Sequence, residues 1–346
     1  MSIWRWAKHW REVPESAQLS LGEGETPLIR SRSIGVAVGL PNLFFKLETV
    51  NPSGSYKDRF AAAAVSHMQT AGLKTCIATS SGNTGAALAA YCAAAGIRCR
   101  IAVVETAPGA KLAQMMAYGA EIFRVRGFGT DPKTTEQAFA KLDELGGRPG
   151  HALQISAYKY SPLGMSGVES IGFELAGQAD HVFCPAGGGG LTLGVALGFS
   201  KAGHKGAVHC VQPAGNDTIA SALRAGAEQA NAVDCTSLIS GLQVASVIDG
   251  DEVIRECRPT GGTGHAVSDE TVWVWQKRLA REEGVFCEPA GAVALAGAMQ
   301  AFDNGEIRRD DRVVCLVTGS GFKDADSIDR MNAEPDCPCV GVEDIG

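Results

Sequence analysis

The segment Thr75-Cys76-Ile77-Ala78-Thr79-Ser80-Ser81-Gly82-Asn83-Thr84-Gly85, followed by the alanine-rich run 86–95, decides the fold. Residues 75–79 indicate a buried strand, the polar residues 80–85 a glycine turn, and residues 86–95 an apolar helix. Strand, turn and helix in that order form one unit of an α/β protein. Amides at the start of such a helix, with the side chains of Asn83 and Thr84, can receive an anionic or oxygen-rich ligand. An ordinary helix N-cap is the alternative interpretation.

Strand-like and helix-like segments alternate on the C-terminal side of this unit. They cover residues 100–104, 111–118, 121–125, 134–145 and 152–155, and the alternation resumes over residues 181–185, 191–199, 207–212, 216–224, 270–283, 290–302 and 312–318. This pattern predicts parallel sheets with covering helices. The expected fold is α/β, with two open doubly wound domains of mostly parallel sheet and a ligand in the cleft beyond the strands' carboxyl ends.

Two further turns carry glycine. Gly187, Gly188, Gly189 and Gly190 follow the strand-like run 182–185, and Thr318-Gly319-Ser320-Gly321 follows the run 313–317. Four consecutive glycines let backbone amides close on a phosphate, so we expect a side chain at Gly188 to intrude there. Together, the three turns predict one site.

A lysine lies in the turn-forming stretch Asn51-Pro52-Ser53-Gly54-Ser55-Tyr56-Lys57-Asp58-Arg59. The alanine-rich run that follows has helical character, so Lys57 is predicted where a loop enters a helix. An amine desolvated near the positive end of a helix can form an imine. A solvated surface lysine is the ordinary alternative.

Composition is that of a soluble enzyme. The chain has 346 residues, which suits two domains, and a formal charge of −7, which argues against nucleic-acid binding. We find no apolar run of membrane-spanning length and no signal-peptide core after Met1, so a cytoplasmic location without membrane association is expected.

The cysteines and histidines show no metal-ligand spacing. Several of the eleven cysteines lie in apolar segments and are interpreted as small buried side chains: Cys76, Cys92, Cys184, Cys210 and Cys315. Cys337-Pro338-Cys339 is a close pair, with no second pair to complete a zinc site. His265 is predicted on a mobile loop at the surface. No metal is expected.

Taken together, these segments resemble the fold-type II pyridoxal-phosphate enzymes, the tryptophan synthase β-like superfamily, and within it most closely threonine synthases. The resemblance covers most of the chain. It rests on four motifs: Leu21-Gly22-Glu23-Gly24-Glu25-Thr26-Pro27-Leu28, Phe45-Lys46-Leu47-Glu48 leading into residues 51–59, Ser81-Gly82-Asn83-Thr84, and Thr318-Gly319-Ser320-Gly321-Phe322-Lys323-Asp324.

The resemblance implies a role for each motif. Lys57 would hold pyridoxal 5'-phosphate as a Schiff base, Asn83 would bond its ring hydroxyl, and Gly187, Gly188, Gly189 and Gly190 would bind its phosphate. Thr318 would meet the pyridine nitrogen. A neutral hydroxyl cannot hold that nitrogen protonated as a carboxylate would, which favours elimination and replacement over transamination.

The resemblance also implies a domain arrangement. A large cofactor-binding domain would comprise residues 1–41 and 153–330, with a small domain nested in it at residues 42–152 and a loose C-terminal tail at residues 331–346. A homodimer acting on a small amino acid is expected.

The predicted substrate side departs from the pattern. Threonine synthases carry an Asn-Pro-Tyr-Arg run, and the stretch here is Ser161-Pro162-Leu163-Gly164. Because glycine cannot replace a bidentate arginine, a phosphorylated substrate is expected to bind poorly unless Arg59 or Lys159 compensates. Ser81 and Thr84 are further candidates for substrate contact. Residues 185–191 look more like the loop of serine and threonine dehydratases.

Three functions remain open. The first is a threonine synthase-like lyase, and the second is a dehydratase or β-replacement enzyme that uses a hydroxy or O-activated amino acid. The third is a catalytically silent regulatory homologue, which the intact Lys57 disfavours. A dinucleotide-binding oxidoreductase is excluded because the glycine run lacks the spaced G-x-G-x-x-G pattern.

Overall fold

The computed structural model describes residues 2–107, 109–333 and 337–342. Within them the chain is an α/β protein with two mostly parallel sheets, as predicted. The strands are β1 Leu28–Arg30, β2 Leu43–Leu47, β3 Thr75–Ala78, β4 Arg98–Val104, β5 Glu121–Val125, β6 His151–Gln154, β7 His181–Pro185, β8 Ala207–Pro213, β9 Gly264–Val267 and β10 Val313–Val317. The α-helices are α1 Ile34–Val38, α2 Lys57–Thr70, α3 Asn83–Ala95, α4 Gly109–Ala117, α5 Pro132–Gly146, α6 Pro162–Met165, α7 Ser170–Leu175, α8 Gly190–Ala202, α9 Ala220–Arg224, α10 Gly250–Cys257, α11 Asp269–Glu283, α12 Pro289–Asp303 and α13 Ala325–Met331.

The larger sheet has six strands in the order β1-β2-β10-β7-β8-β9. Strand β1 runs antiparallel to β2, and the other neighbours are parallel. Both faces of this sheet are covered. Val313, Cys315 and Val317 of β10 belong to the hydrophobic cluster with α12, whereas Val314 and Leu316 belong to the cluster on the opposite face. The alternation follows from the two-residue period of a strand buried on both sides.

The smaller sheet has four parallel strands in the order β5-β4-β3-β6. Helix α3 follows β3 directly, and its buried face joins the same hydrophobic cluster as α2. Helix α2 therefore packs between the two sheets, and its first residue is Lys57. This position brings the lysine to the ends of strands from both sheets.

The division into domains stays a prediction, but both predicted boundaries of the small domain disagree with the sheets. The predicted small domain includes residues 43–47, which form β2 of the six-stranded sheet, and leaves out residues 153–154, which belong to β6 of the four-stranded sheet. The nested segment that the sheets support therefore starts after β2, since the four-stranded sheet comprises residues 75–154.

The surface position predicted for His265 is wrong. His265 lies on β9, is fully buried, and forms a row of rings with His209 on β8 and His181 on β7. The nitrogens of His181 and His209 are 3.0 Å apart, and those of His209 and His265 are 3.2 Å apart. Arg224 Nη2 donates a hydrogen bond to His265 Nδ1 at 3.0 Å. Adjacent parallel strands place side chains of one face side by side, which aligns the rings.

In the part of the chain described here, no helix is both long and apolar enough to cross a membrane. Of the predicted tail, residues 331–333 and 337–342 are described; Met331 is the last residue of α13, and Cys337 and Cys339 are exposed. The other tail residues, 334–336 and 343–346, lie outside the described residues.

Candidate active site

A cavity of about 760 Å³ lies between the two sheets. Its walls come from segments that follow the carboxyl ends of strands in both sheets, as is usual for open α/β proteins. These wall segments are residues 79–84 after β3, 155–157 after β6, 185–191 after β7 and Thr318 after β10. The three glycine turns predicted to form one site therefore meet in one cavity.

Lys57 lines this cavity. Its Nζ donates a hydrogen bond to Ser156 Oγ at 2.8 Å, and the same oxygen is 2.8 Å from Thr84 Oγ1. The Nζ also lies 4.5 Å from the centre of the Tyr56 ring. Tyr56 N donates to Thr318 O at 3.0 Å, which ties the start of α2 to the end of β10. The amine is thus held at a helix start, as predicted from the sequence.

The glycine loop leaves little room for side chains. A Cβ on Gly187 would lie 3.1 Å from Val244, and one on Gly189 would lie 2.8 Å from Val253. Gly189 also has φ of +96°, which side-chain-bearing residues rarely adopt. At Gly188 the nearest atom would be Ile248 Cδ1 at 3.4 Å, an ordinary contact at the edge of the tight range. Gly189 is therefore more constrained than Gly188, where the sequence suggested the intrusion.

The same loop brings the start of a helix to the cavity. All four glycines line the cavity, and α8 begins at Gly190. The carbonyls on the loop's other side are engaged, since Gly188 O accepts from Asp249 N at 3.0 Å and Gly187 O from Gln212 Nε2 at 3.1 Å. First-turn amides have no partner within a helix and carry the positive end of its dipole. The loop therefore suits a phosphate.

Asn83 and Thr318 line the cavity beside a carboxyl that sequence reasoning did not assign. Asn83 Nδ2 donates to Glu288 Oε1 at 2.7 Å. Glu288 is buried, and this burial raises its pKa to about 7. A Cβ on Gly319 would lie 2.2 Å from Glu288 Oε1, so only glycine fits after Thr318. No local sequence pattern marks this carboxyl as part of the cavity.

Basic groups line another part of the cavity, and sequence reasoning missed these as well. Lys111 Nζ donates to Ser240 Oγ at 2.6 Å and lies 3.3 Å from Asp324 Oδ2. Burial lowers the pKa of Lys323, which also lines the wall. The guanidinium of Arg330 stacks on the Trp273 ring at 3.7 Å. Lys111 lies on α4, whereas Lys323 and Arg330 lie in the C-terminal segment 321–331, with Trp273 on α11. These elements are far apart in the chain.

Two predicted substrate residues do not line the cavity. The Arg59 side chain is fully buried, and its donors are bonded to Glu48 at 2.7 Å and Glu174 at 2.5 Å. Lys159 is exposed, and its Nζ lies 5.7 Å from the Tyr160 ring. Arg59 is therefore a structural ion-pair partner, because its buried charge requires the two carboxylates. The other two candidates, Ser81 and Thr84, do line the cavity.

The structure also corrects the interpretation of Gly164, which the sequence aligns with an arginine of threonine synthases. A Cβ on Gly164 would lie 2.7 Å from the Phe60 ring and 2.9 Å from Ala64, so this position faces α2. Ser161 is buried and accepts from Ile155 N at 3.1 Å. Neither residue lines the cavity, so their identity does not report on substrate charge.

The residues present fit the pyridoxal phosphate that the motifs imply. An amine, a glycine loop with no room for side chains, and an amide side chain share one cavity of about 760 Å³. The glycine loop at the start of α8 would hold the phosphate, and Lys57 would supply the amine that forms the imine.

Comparison with known proteins agrees with this chemistry. The profile of the family described as "Pyridoxal-phosphate dependent enzyme" matches residues 19–319. The threonine synthase of Methanocaldococcus jannaschii is 32% identical over 97% of this chain and 84% of its own length. That of Halalkalibacterium halodurans is 32% identical over 94% of this chain and 91% of its own length.

Solved structures share the fold. The processed form of threonine deaminase isoform 2 from Solanum lycopersicum superposes with a TM-score of 0.76 at 23% identity, covering 90% of this chain and 83% of its own. Maize serine racemase gives a TM-score of 0.75 at 24% identity, covering 90% and 92%. At these identities the likeness concerns the fold. With a family profile that matches most of its length, the chain belongs to the pyridoxal-phosphate-dependent enzymes of fold type II.

Proposed function

We propose that the protein is a lyase of the threonine synthase type, which eliminates and replaces a group on the side chain of an amino acid. The observation that carries the proposal is the amine of Lys57, 2.8 Å from Ser156 Oγ and in the same cavity as the glycine loop. When bound, pyridoxal phosphate supplies the electron sink that lets the α-proton leave.

The chain's own groups supply binding and proton movement. The glycine loop would hold the phosphate, Asn83 the ring hydroxyl, and Thr318 the ring nitrogen. Lys57 Nζ is the group placed to take and return a proton, with Ser156 and Thr84 orienting it through their hydroxyls. The start of α3, which follows Ser81, would receive the substrate carboxylate.

The basic groups that line the cavity support an anionic leaving group. Lys111 and Arg330 line the cavity, so a phosphorylated hydroxyamino acid such as O-phosphohomoserine fits better than the sequence suggested. That expectation of poor binding rested on Ser161 and Gly164, which face away from the cavity. Relatives named threonine synthase, similar over nearly the whole chain, point the same way.

A second candidate is an ammonia-lyase acting on serine or threonine. The observation in its favour is that residues 185–191, which resemble the loop of serine and threonine dehydratases, line the cavity. The two candidates differ in product, since the first releases phosphate and threonine and the second ammonia and a keto acid.

The experiment is a substrate panel scored for phosphate, threonine, ammonia and keto acid. Lys57→Ala should abolish every activity and the borohydride-trapped cofactor; a trapped adduct on another lysine would contradict the assignment.

Lys111→Gln should raise KM for O-phosphohomoserine by roughly tenfold or more, because a charged hydrogen bond contributes about 1.5–3 kcal/mol. Lys159→Gln, at an exposed lysine outside the cavity, is the matched control. Release of ammonia alone would favour the second candidate.

A further inference from the structure

Three cysteines meet in the core of the four-stranded sheet, away from the residues that line the cavity. Cys76 lies on β3, Cys92 on α3 and Cys99 on β4, and their sulfur atoms all lie within 4.8 Å of one another. All three residues are buried. The cluster does not depend on the proposed function.

The backbone fixes this meeting. Cys76 and Cys99 are register partners on adjacent parallel strands, so their side chains leave the sheet on the same face. Helix α3 covers that face and supplies the third sulfur from its last turns. Because two strands and a helix hold the three residues, the cluster is preformed rather than assembled from loops.

The spacing suits three bonds to one ion. A metal–sulfur bond is about 2.3 Å, so three sulfurs around one ion in a plane lie about 4 Å apart. A disulfide needs a sulfur–sulfur distance of about 2 Å and would leave the third thiol over. Around an ion that keeps a lone pair the three bonds form a pyramid, and bonds of about 2.3 Å then place the sulfurs about 3.5 Å apart. A movement of at most about 0.8 Å at each sulfur would bring a set within 4.8 Å to that spacing.

The surroundings select the kind of ion. Among the described residues no histidine, carboxylate or fourth cysteine joins the group, so the four ligands of a structural zinc are incomplete. The cluster lies in the hydrophobic core with neighbours such as Ile101 and Leu88. An apolar core disfavours a complex with net charge. Three thiolates are neutralised by a trivalent ion that prefers sulfur.

We infer that Cys76, Cys92 and Cys99 form a site for a trivalent, sulfur-seeking ion of the arsenite class. Arsenous acid would react with the three thiols to form three arsenic–sulfur bonds. Three S–H and three As–O bonds break, three water molecules leave, and arsenic stays trivalent, so no oxidant is required. The product is neutral. It would fix Cys92, and with it the helix that begins at Asn83, to the sheet.

The test uses the full-length holoenzyme with Cys337→Ser and Cys339→Ser, because these exposed thiols would bind arsenite themselves. The probe is sodium arsenite with a thiol-free phosphine reductant, incubated until uptake ends, followed by desalting. Native mass spectrometry should show one arsenic per chain with three protons lost, and X-ray absorption should show three sulfur neighbours.

Matched variants complete the test. Cys92→Ser should lower arsenite affinity at least tenfold, whereas Cys315→Ala, at a buried cysteine of the other sheet, should leave it unchanged. If Cys92→Ser fails to fold, the number of sulfur neighbours that X-ray absorption finds around arsenic in the protein with the intact cluster decides the question. No retained arsenic, two sulfur neighbours, or equal uptake by Cys92→Ser would overturn the inference.

Discussion

Replacing Gly189 by alanine tests the glycine loop most directly. Gly189 has φ of +96°, and a Cβ there would lie 2.8 Å from Val253 Cγ2 and 3.1 Å from Ile219 Cδ1. The left-handed backbone costs a residue with a Cβ roughly 1–2 kcal/mol, and the close contact adds about 1–3 kcal/mol of overpacking. The folded protein can relieve this strain only by shifting the loop.

A shifted loop would lose cofactor affinity. Hydrogen bonds to a charged group contribute about 1.5–3 kcal/mol each, so loss of one amide contact predicts roughly a 10-fold to 100-fold higher dissociation constant. We expect Gly189→Ala to show this loss together with lower resistance to urea. The assay is equilibrium dialysis of cofactor-free protein against pyridoxal phosphate, followed by visible absorbance.

The control is Gly188→Ala, where the Cβ would meet only side-chain atoms of Ile248 and Val244 at 3.4 to 3.5 Å. This variant should change the dissociation constant much less. Unchanged affinity in Gly189→Ala, with stability clearly reduced, would mean that the loop does not bind the phosphate. A larger effect at Gly188 would refute the packing argument.

The remaining predictions concern buried charge. Arg59→Gln leaves the buried Glu48 without a cationic partner and Glu174 with Lys46 alone, so it should lower the free energy of unfolding by roughly 3–5 kcal/mol in urea titrations. An unchanged stability with a raised substrate KM would restore Arg59 as a substrate ligand. Burial raises the pKa values of Glu288 and Asp58 to about 7. Both carboxyls bind protons in the folded chain at pH values where the unfolded chain has released them, so stability should fall as pH rises from about 4 to 7. Glu288→Gln should flatten that fall between about pH 4 and 7, and an unchanged slope would contradict the assignment.

Much of the fold follows from local patterns. The segment 75–155 was predicted nearly element by element because short strand-like runs alternate with longer helix-like runs and turns separate them. Strand β9, with four residues in a glycine-rich segment, carries no such pattern, and His265 was therefore misplaced. Helix α10 was missed as well, although its apolar face is buried.

The site divides in the same way. Lys57, Asn83 and the glycine loop carry local signals, since each lies where a turn enters a helix. Glu288, Lys111 and Arg330 reach the cavity from elements far apart in the chain. No local sequence pattern predicts that they lie close together. The role given to Arg59 failed for the same reason, because its carboxylate partners lie 11 and 115 residues away.

The row of histidines across the larger sheet has a fixed hydrogen polarity. Arginine can only donate, so Arg224 makes His265 Nδ1 an acceptor, and His265 Nε2 must then carry the hydrogen given to His209 Nδ1. His209 Nε2 in turn donates to His181 Nδ1, and His181 Nε2 faces Asp311 at 3.3 Å. Every ring is thereby set to one neutral tautomer. An added proton on any of them would turn an acceptor into a donor facing a donor. These three imidazoles therefore form an oriented chain of dipoles, and burial lowers the pKa of His209 well below its usual value and that of His265 to about 4.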